Sequence, residues 1–263
     1  MIRPSISNPF KTAILFLSVL VLTSDAAFAQ CGAVPAHAAL TAALDGVVAP
    51  GNPAVNGGLA FEMWATVVNR DGIVCAVTFS GGDRDDQWPG SRVISAQKAN
   101  AANAFSLAGF PLSTANLYSA VQPGGTLFGL QESNPVNTEV AYQGAPAAYG
   151  TMGDPMVNFK IGGVNVFGGG LALYNGAGEL VGAVGVSGDT SCTDHIVAWK
   201  LRHALNLDNV PDGVAGGTDN IIFDIRGAQG NFSSKSGFGH PECGSGTAIA
   251  EALPETHPIG AAP

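Results

Sequence analysis

The chain has 263 residues, of which 46% are apolar and 12% charged, with 20 acidic against 11 basic side chains. This is the composition of a packed globular protein, and a net charge of −9 argues against nucleic acid as a partner. The 36 glycines follow no G-X-Y period and form no Gly/Ser tract, which excludes collagen-like and linker-like chains and leaves many tight turns.

Residues 1–29 open with Arg3 and Lys11, run through the apolar stretch Ala13 to Leu22 and finish at Ala27-Phe28-Ala29, the layout of a cleavable secretory leader. A lipid anchor at Cys31 is the alternative, but it requires a small residue before the cysteine and Gln30 is not one. Nothing after the leader approaches the ~18 apolar residues that span a bilayer. The expected product is therefore periplasmic or secreted, with no membrane span. Without Arg3, Lys11 and Asp25 it keeps 9 basic and 19 acidic residues, a charge of −10. Cys31, Cys75, Cys192 and Cys243 are an even number in a compartment that permits disulfides. Of the three possible pairings, Cys192–Cys243 and Cys31–Cys75 are favoured; four buried thiols are the alternative.

Residues 34–48 are Ala/Leu-rich and stop before Pro50, which predicts a first helix. Leu59 to Asn69 alternates, Asn69-Arg70-Asp71-Gly72 signals a turn, and Ile73, Cys75, Val77 and Phe79 alternate again, so a β-hairpin is expected. A helix follows from Ser91 to Ala108, stopped by Gly109, then a shorter one over 115–121 capped by Ser113 or Thr114. Residues 132–163 show little periodicity and read as a long insertion. Val164 to Tyr174 and Leu180 to Val186 flank Asn175-Gly176-Ala177-Gly178 as a second hairpin. Gly188-Asp189-Thr190-Ser191 then supplies cap residues for a helix to about Asn206. Beyond 207 the chain is Gly/Pro-rich, with one strand-like fragment at 220–225. The order predicts an α+β fold: a single antiparallel sheet with flanking helices in α-β-α layers. The domain spans 30–206 and a C-terminal extension spans 207–263.

No CxxCH, HExxH, CxxC or Walker sequence occurs, and Gly185-Val186-Ser187-Gly188-Asp189 departs from a nucleophile elbow at its fifth residue. The glycines Gly182, Gly185 and Gly188 lead into a helix N-terminus, a place suited to a carboxylate or phosphate, or else to close helix–sheet packing. Lys98 falls in the apolar stripe Ile94, Ala101, Phe105, Ala108, with Arg84 and Arg92 near it in sequence. It either snorkels to solvent or meets an anionic ligand. On the last long helix, Ile196, Val197, Leu201, Ala204 and Leu205 should face the sheet, while His195, Trp199, Arg202 and His203 gather on the opposite, outward side. That outward set is either a solvated surface or a platform for a planar, anionic, metal-bearing ligand at an intersubunit groove. His37 is the other candidate axial ligand.

Several segments resemble one family. Val67-Val68-Asn69-Arg70-Asp71-Gly72-Ile73-Val74 is similar to the hairpin of the GlcG/HbpS-like haem-binding family, and Ser91 through Lys98-Ala99 to Ala104-Phe105 to its Lys-Ala helix. Gln122-Pro123-Gly124-Gly125-Thr126-Leu127-Phe128-Gly129 resembles its PGG loop. Phe167-Gly168-Gly169-Gly170-Leu171 and Gly182 to Gly188 resemble its two Gly-rich strands, and Asp194 stands where the following helix carries an acid. The resemblance covers most of residues 34–206, leaving the insertion and the extension outside it. It implies one antiparallel sheet with flanking helices, a homo-oligomer, and non-covalent haem binding in several members. The matching motifs do not specify the axial ligand.

The resulting expectation is an exported, oligomeric haem-binding protein serving sequestration, transfer or redox sensing. His195 or His37 would ligate iron, Lys98 and Arg92 would pair with propionates, Trp199 would lie against the ring, and Gly185 to Gly188 would shape the wall. The alternatives are an enzyme or binding module for a small, glycolate-like organic acid, and a structural oligomeric module. Whether turnover occurs is left open.

Overall fold

The computed structural model describes residues 30–227 and 233–260; the leader expected at 1–29 lies outside them. In chain order the main elements are α1 (His37–Val47), β1 (Trp64–Asn69), β2 (Val74–Phe79), α2 (Ser91–Phe105), β3 (Gly170–Tyr174), β4 (Leu180–Ser187), α3 (Ser191–Ala204) and α4 (Ser245–Glu251). The four strands form one antiparallel sheet in the order β2-β1-β4-β3.

Both hairpins are set by an asparagine at the turn. The side-chain oxygen of Asn69 accepts from the N–H groups of Asp71 and Ile73, and Gly72 takes φ +74°. Asn175 does the same for Ala177 and Glu179. Helices cover the sheet on both sides, so every residue of β1 is buried. Trp64 and Val68 point to α2 with Val93, Ala96 and Ala99, while Ala65 and Val67 pack with Leu40, Leu44 and Ile196 of α1 and α3. The expected α-β-α layering of an α+β fold is what the chain forms.

Gly185 is where α2 crosses the sheet. A Cβ there would stand 1.9 Å from the Ser95 carbonyl oxygen and 2.5 Å from the Ala99 nitrogen. Helix α2 ends at Phe105, three residues before the expected stop, because Ser106 turns extended and its hydroxyl bonds both the N–H and the C=O of Leu112. Residues 164–169, expected as strand, are not; Gly168 and Gly169 instead thread past Ser191 and Asp194 of α3. The fragment at 220–225 shrinks to Ile225–Arg226, paired with Ser233–Ser234.

The insertion meets the sheet at its β2 edge and the start of the extension meets it at its β3 edge, each at the end residue of the strand. On the β2 side the N–H of Val74 donates to Phe159 O (2.9 Å) and Asn158 N–H to Val74 O (2.8 Å). On the β3 side Tyr174 N–H donates to Leu207 O (2.8 Å) and Arg202 to Ala172 O (3.1 Å). Ile221, Ala250 and Leu253 of the extension belong to the same core cluster as Leu171 and Ile196.

Candidate functional site

The Gly-rich entry to α3 does gather N–H groups around a carboxylate, and that carboxylate is the chain's own. Asp194 Oδ1 accepts from Gly188 N–H (3.1 Å) and Asp189 N–H (2.9 Å), and its Oδ2 lies 2.6 Å from Lys98 Nζ. Lys98 also donates to Val186 O and is 1% exposed. It neither snorkels nor faces a cavity. Burial drives this pair towards its neutral forms, lowering Lys98 and raising Asp194, while their mutual attraction opposes the shift. Gly188 serves close packing, since a Cβ there would meet Glu62 O at 2.6 Å.

The face of α3 expected to point outward is buried, and this corrects the sequence reading. The extension lies across it. His195 Nε2 sits 3.0 Å from Asn220 Oδ1 and 3.2 Å from Ile221 N; Trp199 Nε1–H donates to His257 O at 2.8 Å; Arg202 forms a two-pronged pair with Asp219 at 2.7 and 2.8 Å. His195 and Arg202 are fully enclosed and Trp199 nearly so. Burial lowers the His195 pKa to about 4, which keeps the ring neutral. Its Nδ1 has no partner among the described residues. Only His203 of the set stays half-exposed, 2.7 Å from Asp208.

His37 is half-buried and its Nε2 lies 2.8 Å from Gly150 O. Cys31–Cys75 and Cys192–Cys243 are disulfides. The second stands beside His240, whose Nδ1–H donates to Pro241 O and whose Nε2 accepts from the Ser191 hydroxyl, both at 2.7 Å. With both sulfurs oxidised, the Cys192, His240, Cys243 cluster offers a metal no more than an imidazole.

An open cleft of about 330 Å3 remains at the first turn of α2. Trp64, Pro89, Val93, Pro146, Tyr142 and Tyr149 form its apolar surface, and Arg84 and Asp85 stand in the same lining. Arg92 lies in its floor. The guanidinium bonds Asp154 at 2.8 and 2.5 Å, donates to Ala141 O at 2.9 Å and lies 3.7 Å over the Tyr149 ring. The exposed loop pairs Arg84 with Asp85 at 3.2 Å. Trp64 is 1% exposed, yet its indole N–H has no acceptor among the described residues. Of the three cations grouped by sequence, the fold brings Arg84 and Arg92 to one cleft and sends Lys98 elsewhere. The tyrosines come from the insertion, where no periodicity marked them.

No curated protein matches the chain. Among solved structures it is similar to the Klebsiella pneumoniae protein ORFY (24% identity, 65% of this chain and 90% of that one, TM-score 0.43). It is also similar to a PduOC–heme complex (21%, 70% and 95%, TM-score 0.41). A third is a double mutant of Streptomyces reticuli HbpS (16%, 77% and 99%, TM-score 0.38). The family model described as "Haem degrading protein HbpS-like" matches residues 60–201, more than half of the chain, from the approach to β1 through the greater part of α3, and the chain belongs to that family.

Proposed function

We propose that this chain is an exported, non-covalent haem-binding protein and that haem enters the cleft at the first turn of α2. The observation that carries the placement is the lining itself: two tyrosines, a tryptophan, two prolines and Val93 around an open space, with Arg84 among them. A tetrapyrrole needs apolar and aromatic contact along its body and a cation for its propionates, and pockets of this kind hold planar ligands. Family membership supports the ligand class. The residues of α3 and the Lys98–Asp194 pair are engaged by the protein's own groups, so the reading rests on the cleft. The donor set fits haem to this extent: the lining has no histidine, cysteine or methionine, and its phenols, Tyr142 and Tyr149, are its side chains of a type known to ligate haem iron. Haem supplies a redox-active iron when bound. The chain's part is to enclose the ring edge and place Arg84 near the carboxylates. The two disulfides suit an oxidising compartment outside the cytoplasm.

The test is a haemin titration of residues 30–263 followed at the Soret band. A saturable, shifted band at a defined stoichiometry is expected, with affinity reduced about tenfold in Arg84→Ala, a loss of the size of one favourable polar contact. A featureless rise that never saturates would overturn the proposal.

A second reading rests on the Arg84 guanidinium in the same cleft. A guanidinium at an open cleft also suits the carboxylate of a small organic acid. Calorimetry with glycolate-like acids, giving saturable heat where haemin gives none, would select it.

A further inference from the structure

Resting on the haem reading, we infer that Tyr142 supplies the iron ligand, through its phenolate oxygen, to haem held in the α2 cleft.

The lining contains two phenols, and the structure treats them differently. Tyr149 is engaged: its hydroxyl reaches the carbonyl oxygens of Gln143 (3.2 Å) and Tyr142 (3.3 Å), and Arg92 covers its ring at 3.7 Å. Tyr142 is free. Its side chain is 66% exposed and its hydroxyl makes no hydrogen bond among the described residues.

The backbone beneath it is nevertheless held from three directions. The Ala141 carbonyl accepts from buried Arg92 (2.9 Å), the Tyr142 carbonyl accepts from Tyr149, and the Gln143 side chain donates to Pro155 O (2.6 Å). Tyr142 closes the short helix Thr138–Tyr142, whose start Asn137 caps with its side-chain oxygen. A side chain free to turn on a fixed backbone, at the mouth of an aromatic cleft, is the arrangement a ligand-capturing group requires.

The remaining lining groups are poor rivals. Asp85 is a carboxylate, outside the usual axial ligands of haem, and Arg92 is committed to Asp154. Tyrosine is an established axial ligand for haem, and an anionic oxygen favours the ferric state. On coordination the O–H bond of Tyr142 breaks, its proton passes to solvent, and the oxygen lone pair forms the bond to ferric iron. Iron keeps its oxidation state, so no reductant or oxidant is consumed. One proton released per haem makes affinity rise with pH.

The experiment uses full-length mature protein, residues 30–263, with ferric haemin, read by absorption, electron paramagnetic resonance and resonance Raman. Wild type should show a high-spin ferric spectrum with phenolate vibrations. Tyr142→Phe should lose those vibrations while still taking up haemin saturably through the cleft, at about tenfold lower affinity. Tyr149→Phe should keep them, and Tyr142→His should change to an imidazole-type spectrum. A Tyr142→Phe spectrum identical to wild type would overturn the assignment and leave the haem reading standing. Failure of wild type to bind haemin saturably would instead overturn the haem reading on which the assignment rests. Circular dichroism of the Tyr142 variants, expected to be unchanged because Tyr142 is exposed, separates loss of ligand from loss of fold.

Discussion

Two imidazoles are enclosed in the neutral form, and their consequence is acid lability. Burial lowers both His195 and His240 to about 4. In the unfolded chain they titrate near 6.5, so their contribution is complete above that pH and is lost as pH falls through 6.5 towards 4. Each shift is worth roughly 3 kcal/mol at most. The melting temperature should therefore fall steeply between pH 6.5 and 4, and His195→Gln should flatten that slope although it lowers stability at pH 7. An unchanged slope would mean the rings are hydrated. Gly185 makes a second, sharper demand. Gly185→Ala places a methyl against the α2 backbone and should cost about 3 kcal/mol or more, measured by urea unfolding. These two residues differ in how readable they were. A glycine leading into a helix suggested close packing from sequence alone. His195 looked like a surface or cofactor histidine because its partners Asn220 and Ile221 lie 25 and 26 positions away, in a strand-like fragment whose neighbours local pattern does not identify.

Among the elements, α3 shows where local pattern stops being informative. Its cap Thr190 and its sheet-facing residues Ile196, Val197 and Leu201 follow from short-range rules, and they are where those rules put them. Its other side is polar in sequence and buried in fact, because the extension brings Asp219 to Arg202 and a carbonyl to Trp199. Helix α2 repeats the lesson: Arg92 is satisfied by Asp154, 62 positions away in the insertion. Breaking such a buried pair from one side leaves a lone charge, so Asp154→Ala should destabilise by about 3–5 kcal/mol, more than the double variant Arg92→Met/Asp154→Leu. The comparison of their denaturant midpoints checks this. The Cys192–Cys243 bridge spans 51 positions, and its removal by Cys192→Ser/Cys243→Ser should cost about 4 kcal/mol in the loop-entropy account. The cleft was only half legible. Arg84 and Arg92 stood out as local cations, but Trp64 looked like one more strand residue and Tyr142 and Tyr149 sat in an unpatterned loop.

On the scale of the whole molecule, the family core runs from 60 to 201 and the segments outside its strands occupy the places where a bare sheet would be open. The insertion hydrogen-bonds the β2 edge and the chain after α3 bonds the β3 edge. Edge-to-edge pairing of copies would have to displace those bonds, which disfavours it. If the chain forms the homo-oligomer its family resemblance implies, copies should meet through other surfaces. Light scattering should then give the same mass before and after Lys160→Glu, a substitution on the exposed strip that lies along the β2 edge. The fold class was legible because two hairpins and three long helices carry their signals locally; the route of the last fifty residues was not, since Gly, Pro, Asn and Ser there record turns and not neighbours.

The dependence of α3 on the extension also sets an order of events. A ribosome delivers His195, Trp199 and Arg202 before Asp219, Asn220 and His257, and the bridge to Cys243 forms only after that cysteine has been made and meets oxidising conditions. The nascent chain must therefore carry an unfinished, half-polar helix until synthesis is almost complete. If the chain is exported as proposed, it stays unfolded long enough to be threaded through a translocation channel, and it locks only on the far side, when its final segment arrives.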